Sequence, residues 1–284
     1  MEEAKKFSFS TSKTLINIVV YFLLFLAGDL LNSIVFDLPF LLFNFRGHNL
    51  YLIFRMLGCT ALTFLFFWLY TNKVLHLKMK DFRVTLNIKS WGVILSILLP
   101  AAVVIAFLFI GKAEVNAFAP SEIILIIIVS VITALKAGIL EEMLFRGFIM
   151  TLLENKWNKY IAILVPSFLF SLAHIPSMEY FTVGGVLLLI ISGTLVGIMF
   201  SLVAYKGKSI SNGALMHAVW NFVMVTDILR ITTAEGAYGK PLFSVIITSD
   251  NMWLTGGGFG VEASLIAVIG YCLVCVAVAF VKKR

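Results

Sequence analysis

Long apolar runs separated by short polar connections occupy most of the chain. Eight stand out: Thr14 to Leu31, Leu50 to Thr71, Trp91 to Ile110, Ser121 to Leu140, Tyr160 to Ala173, Val183 to Tyr205, Ile210 to Leu229 and Val261 to Val281. A helix needs about 20 mostly apolar residues to cross a bilayer, and most of these runs approach that length. In lipid the backbone must satisfy its own N–H and C=O groups, so each run is expected to be helical. The pattern predicts an all-α fold, a polytopic membrane bundle of about eight transmembrane helices. Composition agrees: of 284 residues, 61% are hydrophobic and 13% charged, against roughly 25% charged in soluble proteins. The connections are too short to hold a soluble domain, which predicts a single membrane domain over 1–284. No small-residue cleavage site follows the first run, so it is expected to stay in place.

The formal net charge is +7. Nucleic-acid binding would require the basic residues to gather on one water-facing surface; instead they follow the connections, and no nucleic acid is expected as a partner. Lys5, Lys6 and Lys13 precede the first run, and Lys73, Lys78, Lys80, Arg83 and Lys89 follow the second. Lys156 and Lys159 follow the fourth, Lys206 and Lys208 the sixth, and Lys282, Lys283 and Arg284 the eighth. The alternate connections hold only Arg46, Lys112, Arg230 and Lys240, while Arg55 and Lys136 fall inside runs. The positive-inside rule then puts both termini in the cytoplasm, which an even number of spans allows. Gly193 and Gly197 form a G-x-x-x-G face, expected to serve packing within the bundle rather than a dimer interface. Cys59, Cys272 and Cys275 are too few for a disulfide framework, and the C-x-x-C at Cys272 and Cys275 reads as two small apolar residues. The longest exterior connection, Asp227 to Gly260, reads as an outer lid or a plain linker.

Ionisable side chains within apolar helices cost a few kcal/mol each and need a reason. Glu141, Glu142 and Arg146 lie together in AGILEEMLFRGF. Glu142 and Arg146 are four apart and share a helical face, where they can pair; Glu141 is rotated about 100° away and addresses a different neighbour. An interfacial ion pair would account for Glu142 and Arg146 and leave Glu141 unexplained. Phe170 and His174 follow in FSLAH, and His217 and Asn221 stand one turn apart in HAVWN. Taken singly, each reads as packing glue or a hydrogen-bonded interfacial group; taken together they make a chemical set. A buried carboxylate can take a proton from water, a histidine can share that water or protonate a leaving amine, and a second histidine with an asparagine amide can stabilise an oxyanion. Glu141, His174, His217 and Asn221 fill those roles without a metal or cofactor. Zinc held by a glutamate and two histidines is the competing reading, although H-E-x-x-H is missing.

E-E-x-x-x-R at Glu141, Glu142 and Arg146, F-x-x-x-H at Phe170 and His174, and H-x-x-x-N at His217 and Asn221 occur in this order on separate runs, over about Ile128 to Val225. The set resembles the CPBP family, the CAAX protease and bacteriocin-processing or Abi family, which includes the Ras-converting prenyl-protein endopeptidase. The resemblance implies a metal-independent glutamic endopeptidase. In it Glu141 is the catalytic glutamate, His174 its partner, His217 and Asn221 the oxyanion pair, and Glu142 with Arg146 a supporting ion pair. The catalytic core is expected over about 121–229.

Straight, full-length spans would put Glu141 and His174 at opposite membrane faces. They meet only if the fourth helix continues through Met150 to Glu154 and the fifth is short, tilted or begins deeper. The expected protein is a multi-pass enzyme of a bacterial cell membrane, cutting a membrane-associated peptide or protein near the bilayer surface: a CAAX-type tail, a pheromone or a bacteriocin precursor. A non-proteolytic immunity or scaffold protein and a proton-coupled transporter using Glu141 and His217 are the other readings.

Overall fold

Helices form where the apolar runs predict them in a computed structural model that describes residues 7–43, 48–233 and 240–282. In chain order they are α1 (Thr11–Phe43), α2 (His48–Leu69), α3 (Ser90–Leu108), α4 (Pro120–Glu142), α5 (Met150–Lys156), α6 (Lys159–Ala173), α7 (Val183–Gly207), α8 (Ser211–Met224), α9 (Met252–Thr255) and α10 (Leu265–Phe280). Lys5, Lys6, Arg46, Lys283 and Arg284 of the charge pattern lie outside the described residues.

Local chemistry fixes several helix starts. Pro120 occupies the first turn of α4, where its missing N–H costs nothing. The Asn158 side chain accepts from the amides of Tyr160 and Ile161 to open α6, and Thr182 accepts from Gly185 to open α7. Among the described residues, six helices are long and apolar enough to cross a membrane. The seventh and eighth expected spans are shorter than drawn. With 14 residues in α8 and 16 in α10, a rise of 1.5 Å per residue gives roughly 21 and 24 Å, less than the roughly 30 Å hydrocarbon core.

The fourth span shows the largest change from the expected boundaries. It does not stop at Leu140: α4 runs through a π-helical turn, Met143–Ile149, into α5, giving one continuous rod from Pro120 to Lys156 of 37 residues. The fifth is correspondingly short, 15 residues in α6. Since α6 starts beside the far end of α5 and returns, its last turn arrives level with the middle of the long rod, the arrangement that the Glu141 and His174 problem requires.

The connection over Asp227 to Gly260 is more structured than a lid or linker. It contributes β2 (Leu229–Thr232) and β3 (Phe243–Ile246), and β1 (Lys112–Val115) from the α3–α4 connection completes a three-stranded sheet of order β1-β3-β2. The β1–β3 pair is antiparallel, with Lys112 opposite Ile246, and β2–β3 is parallel, with Leu229 opposite Phe243. The fold is therefore the expected helical bundle, nearly all-α, with one small sheet added by the connections.

Two apolar centres hold the bundle. Leu99, Val103 and Phe107 of α3 pack with Met216 and Trp220 of α8, Tyr271 of α10 and Val245 of β3. Tyr21, Phe67, Phe82 and Phe148 form the second, with the Tyr21 and Phe148 rings stacked at 4.0 Å. On the outside, Leu15, Ile16, Val19, Leu23, Leu26 and Leu30 of α1 are exposed, as suits a surface whose solvent is lipid. One polar cluster joins α1 to α2: Arg55 pairs with Asp37 at 2.9 Å and donates to Ser33 at 3.2 Å, and Tyr51 donates to Asp37.

Gly193 and Gly197 do pack within the bundle. A Cβ on either would come within 2.7 Å of Ser171 or Ser167 of α6, so the absence of side chains lets α6 and α7 lie backbone to backbone.

Candidate active site

The middle of the long rod is where the polar residues collect. The Glu141 carboxylate Oε2 lies 3.8 Å from His174 Nε2 and 3.9 Å from His217 Nε2. Three side chains from α4, the end of α6 and α8 thus converge on one point. That oxygen is buried from solvent and accepts no hydrogen bond from the protein, although the side chain as a whole is 22% exposed to the cavity it faces.

Each histidine is oriented from behind. His174 Nδ1 is 2.7 Å from the Phe170 carbonyl oxygen. A carbonyl can only accept, so Nδ1 carries the proton and Nε2 is presented to Glu141. His217 Nδ1 faces Glu142 Oε1 at 3.4 Å, and its ring stacks on Phe200 at 5.0 Å. It too is left with Nε2 toward the cavity.

Glu142 and Arg146 form a fully buried pair, Nη1 to Oε1 at 2.7 Å with both side chains 0% exposed. Arg146 donates through Nη2 to the Gly197 carbonyl at 3.1 Å and lies over Phe170 at 4.5 Å and Phe200 at 5.2 Å. The rings and the carbonyl hold the guanidinium, the guanidinium holds Glu142, and Glu142 holds His217. Phe170 belongs to the same scaffold, between Arg146 and the His174 ring at 4.4 Å.

Gly138 sets the approach of α8. A Cβ there would lie 2.6 Å from the Ala214 carbonyl and 2.8 Å from the Ala218 nitrogen, one turn from Glu141 on one helix and from His217 on the other. Gly138→Val must push the helices apart. Misplacement of about 1 Å costs on the order of 10²-fold in rate, so any turnover measured for these groups is expected to fall by about that factor, with the protein still recoverable from membranes.

The cavity beside these groups has a volume of about 440 Å³. Glu141, His174, His217 and Asn221 all line it, and Asn221 sits one turn beyond His217 on α8. The motif residues are therefore brought together, with Glu142, Arg146 and Phe170 behind them. Sequence reasoning missed the opposite wall: Glu262, Arg230, Trp220 and Tyr271 also line the cavity. The Tyr271 hydroxyl donates to the Glu262 carbonyl at 2.9 Å. Glu262 fell inside the eighth apolar run as drawn, and an ionisable residue there was the available signal.

The arrangement supplies a carboxylate oxygen with free accepting capacity, two imidazole Nε2 atoms and an amide around one point in a partly closed apolar cavity. Among the described residues, no group of three His, Cys, Asp or Glu side chains has metal-ligand geometry. Residues 120–223 match the family model described as type II CAAX prenyl endopeptidase, Rce1-like. Among curated proteins, none matches the chain.

Proposed function

The chain belongs to the CAAX protease family of multi-pass membrane proteases, and from that premise we propose that it is a glutamate-dependent intramembrane endopeptidase that works without a metal, with its catalytic core over about 121–229. The observation that carries this reading is the meeting of Glu141 Oε2 with the two Nε2 atoms at 3.8 and 3.9 Å.

In the proposed reaction Glu141 takes a proton from a water held between it and His174, and the water oxygen attacks the carbonyl carbon of the scissile amide. The carbonyl oxygen becomes an oxyanion, which the Asn221 amide and His217 stabilise, His217 donating from Nε2 as the imidazolium with Nδ1 toward Glu142. The C–N bond then breaks, and the leaving nitrogen takes the proton that Glu141 accepted, directly or relayed through His174 Nε2. The products are a carboxylic acid and an amine, and the protein returns to its starting protonation. Glu142, Arg146 and Phe170 act by positioning. The substrate is a membrane-associated peptide or protein, a CAAX-type tail or a pheromone or bacteriocin precursor, cut within reach of the bilayer surface.

The test is cleavage of a quenched-fluorescence peptide library by purified protein in detergent. Wild type is expected to cut in the presence of excess EDTA or phenanthroline, and Asn221→Ala to lower kcat by about 10²–10³-fold, the usual worth of one oxyanion donor. Loss of cleavage on chelation, restored by zinc, would move the reading to the metal mechanism; a fully active Asn221→Ala would remove Asn221 from the site.

A further inference from the structure

The sheet leaves one of its strands open on the side that borders the cavity. In the order β1-β3-β2 the middle strand is β3, so among the described residues β2 has a partner along one edge only. The Ile228 and Thr232 carbonyls accept from the Phe243 and Ile247 amides at 3.0 and 2.8 Å. Successive residues of an extended strand turn their N–H and C=O groups to opposite sides, so Ile228, Arg230 and Thr232 address β3 while Leu229 and Ile231 address the open side. Among the described residues no hydrogen bond reaches the Leu229 or Ile231 backbone from that side. Both residues are buried, 8% and 7% exposed, where an unpaired backbone group costs as much as a lost hydrogen bond.

Consecutive side chains of a strand point to opposite faces of its sheet. Arg230 and Ile231 nevertheless both line the cavity of Glu141, His174, His217 and Asn221. A space that both reach runs along the edge of the strand, and the edge free to meet it is the one that β3 does not cover. The strand is also tied to the helix that carries His217 and Asn221. The Val225 and Thr226 amides both donate to the Asn221 carbonyl at 3.0 Å, and both residues line the same cavity. A further strand beside β2 would run about 4.8 Å from it, through the cavity and past those side chains.

We propose that β2 is the substrate-binding strand: the peptide to be cut lies along its open edge in extended form, exchanging main-chain hydrogen bonds with Leu229 and Ile231, which brings the scissile amide to Glu141. This rests on the protease reading for the reaction, and on the sheet and cavity for the mode of binding. Strand addition reads the backbone first and side chains second. The recognised feature is therefore a short stretch, matched to the four residues of β2, with no secondary structure of its own. A helical segment must unwind before it is cut, and proline is excluded wherever the substrate N–H faces β2. Alternate substrate side chains share the Arg230 face and the Ile231 face of the sheet.

The pairing is tested in purified protein with a reporter peptide methylated on one backbone nitrogen at a time, the scissile amide excepted. Each methyl group removes a donor and blocks close approach. Loss is expected at every second position, about 10-fold in kcat/KM at each, the worth of a hydrogen bond whose partner is left buried. The positions between should be nearly unaffected. The same peptides are scored for binding alone, as competitors against the parent peptide carrying a photoreactive diazirine side chain. The crosslink is expected on residues 225–232, with the same alternation among the competitors. Ile231→Pro withdraws one donor on the open side and spares the ladder to β3, and is expected to raise KM by about the same factor; the peptide scan does not depend on that variant folding. Equal loss at every position, no loss at any, a crosslink confined to residues outside 225–232, or a dimer whose partner copy shields β2 from the probe overturns the proposal. An alternating competition pattern with a β2 crosslink, in a protein that cuts no peptide, keeps the strand and ends the protease reading.

Discussion

Glu141→Gln is expected to abolish most peptide cleavage and to leave the fold in place. The substitution keeps the shape of the side chain and removes only its capacity to take a proton, so the expected fall in kcat is about 10²–10⁴-fold, the contribution of a positioned general base. Little structural loss accompanies it, because Glu141 Oε2 accepts no hydrogen bond from the protein and lies 3.8 Å or more from both histidines. Thermal unfolding in detergent should therefore stay within a few degrees of wild type. A Glu141→Gln protein that cuts the reporter peptide at wild-type rate, at equal protein level, would end the glutamate mechanism and leave the scaffold and immunity readings in front.

Arg146→Ala is expected to produce the largest loss of stability of the substitutions considered. Arg146 and Glu142 are both fully buried and paired at 2.7 Å. Removing one member leaves an uncompensated buried charge, which costs about 3–5 kcal/mol. The guanidinium also fills space between the Phe170 and Phe200 rings and satisfies the Gly197 carbonyl, so truncation adds a cavity and an unpaired acceptor. The double variant Glu142→Gln with Arg146→Met removes both charges and should recover much of that loss while staying poorly active, since His217 then loses the carboxylate behind Nδ1. Denaturation of wild type, Glu142→Gln, Arg146→Met and the double variant completes a double-mutant cycle and measures the coupling. Additive losses, with no recovery in the double variant, would mean that the pair does not act as a unit.

These two residues also mark what the sequence made legible. Glu142 and Arg146 were readable because four residues of helix return a side chain to the same face, and the π turn does not prevent the bond. His217 and Asn221 were readable for the same reason. The meeting of Glu141 with His174 was not, because it depends on where helices stop. Hydropathy gives no sharp end to a rod whose last 14 residues, from Met143 to Lys156, are buried against protein rather than lipid over much of their length. The opposite wall was hidden more deeply. Glu262 and Arg230 reach the cavity through the turns that follow Gly256 and Gly260 and through strand pairing across more than 100 residues of chain between β1 and β3, which a scan for local spacing does not detect.

The π-helical turn at Met143–Ile149 has a consequence for how this chain tolerates insertions and deletions. A single π turn accommodates one residue more than the α path it replaces, while the helix on either side keeps its direction. Elsewhere in a helix of 37 residues, losing one residue turns everything beyond it by about 100°. Within the π turn, the same loss relaxes the bulge to α-helix, and Glu141 and the Met150–Leu153 face keep their bearings. The rod therefore has one place where its length can change by a single residue without changing the phase of its two halves, directly beside the residues whose phase matters most.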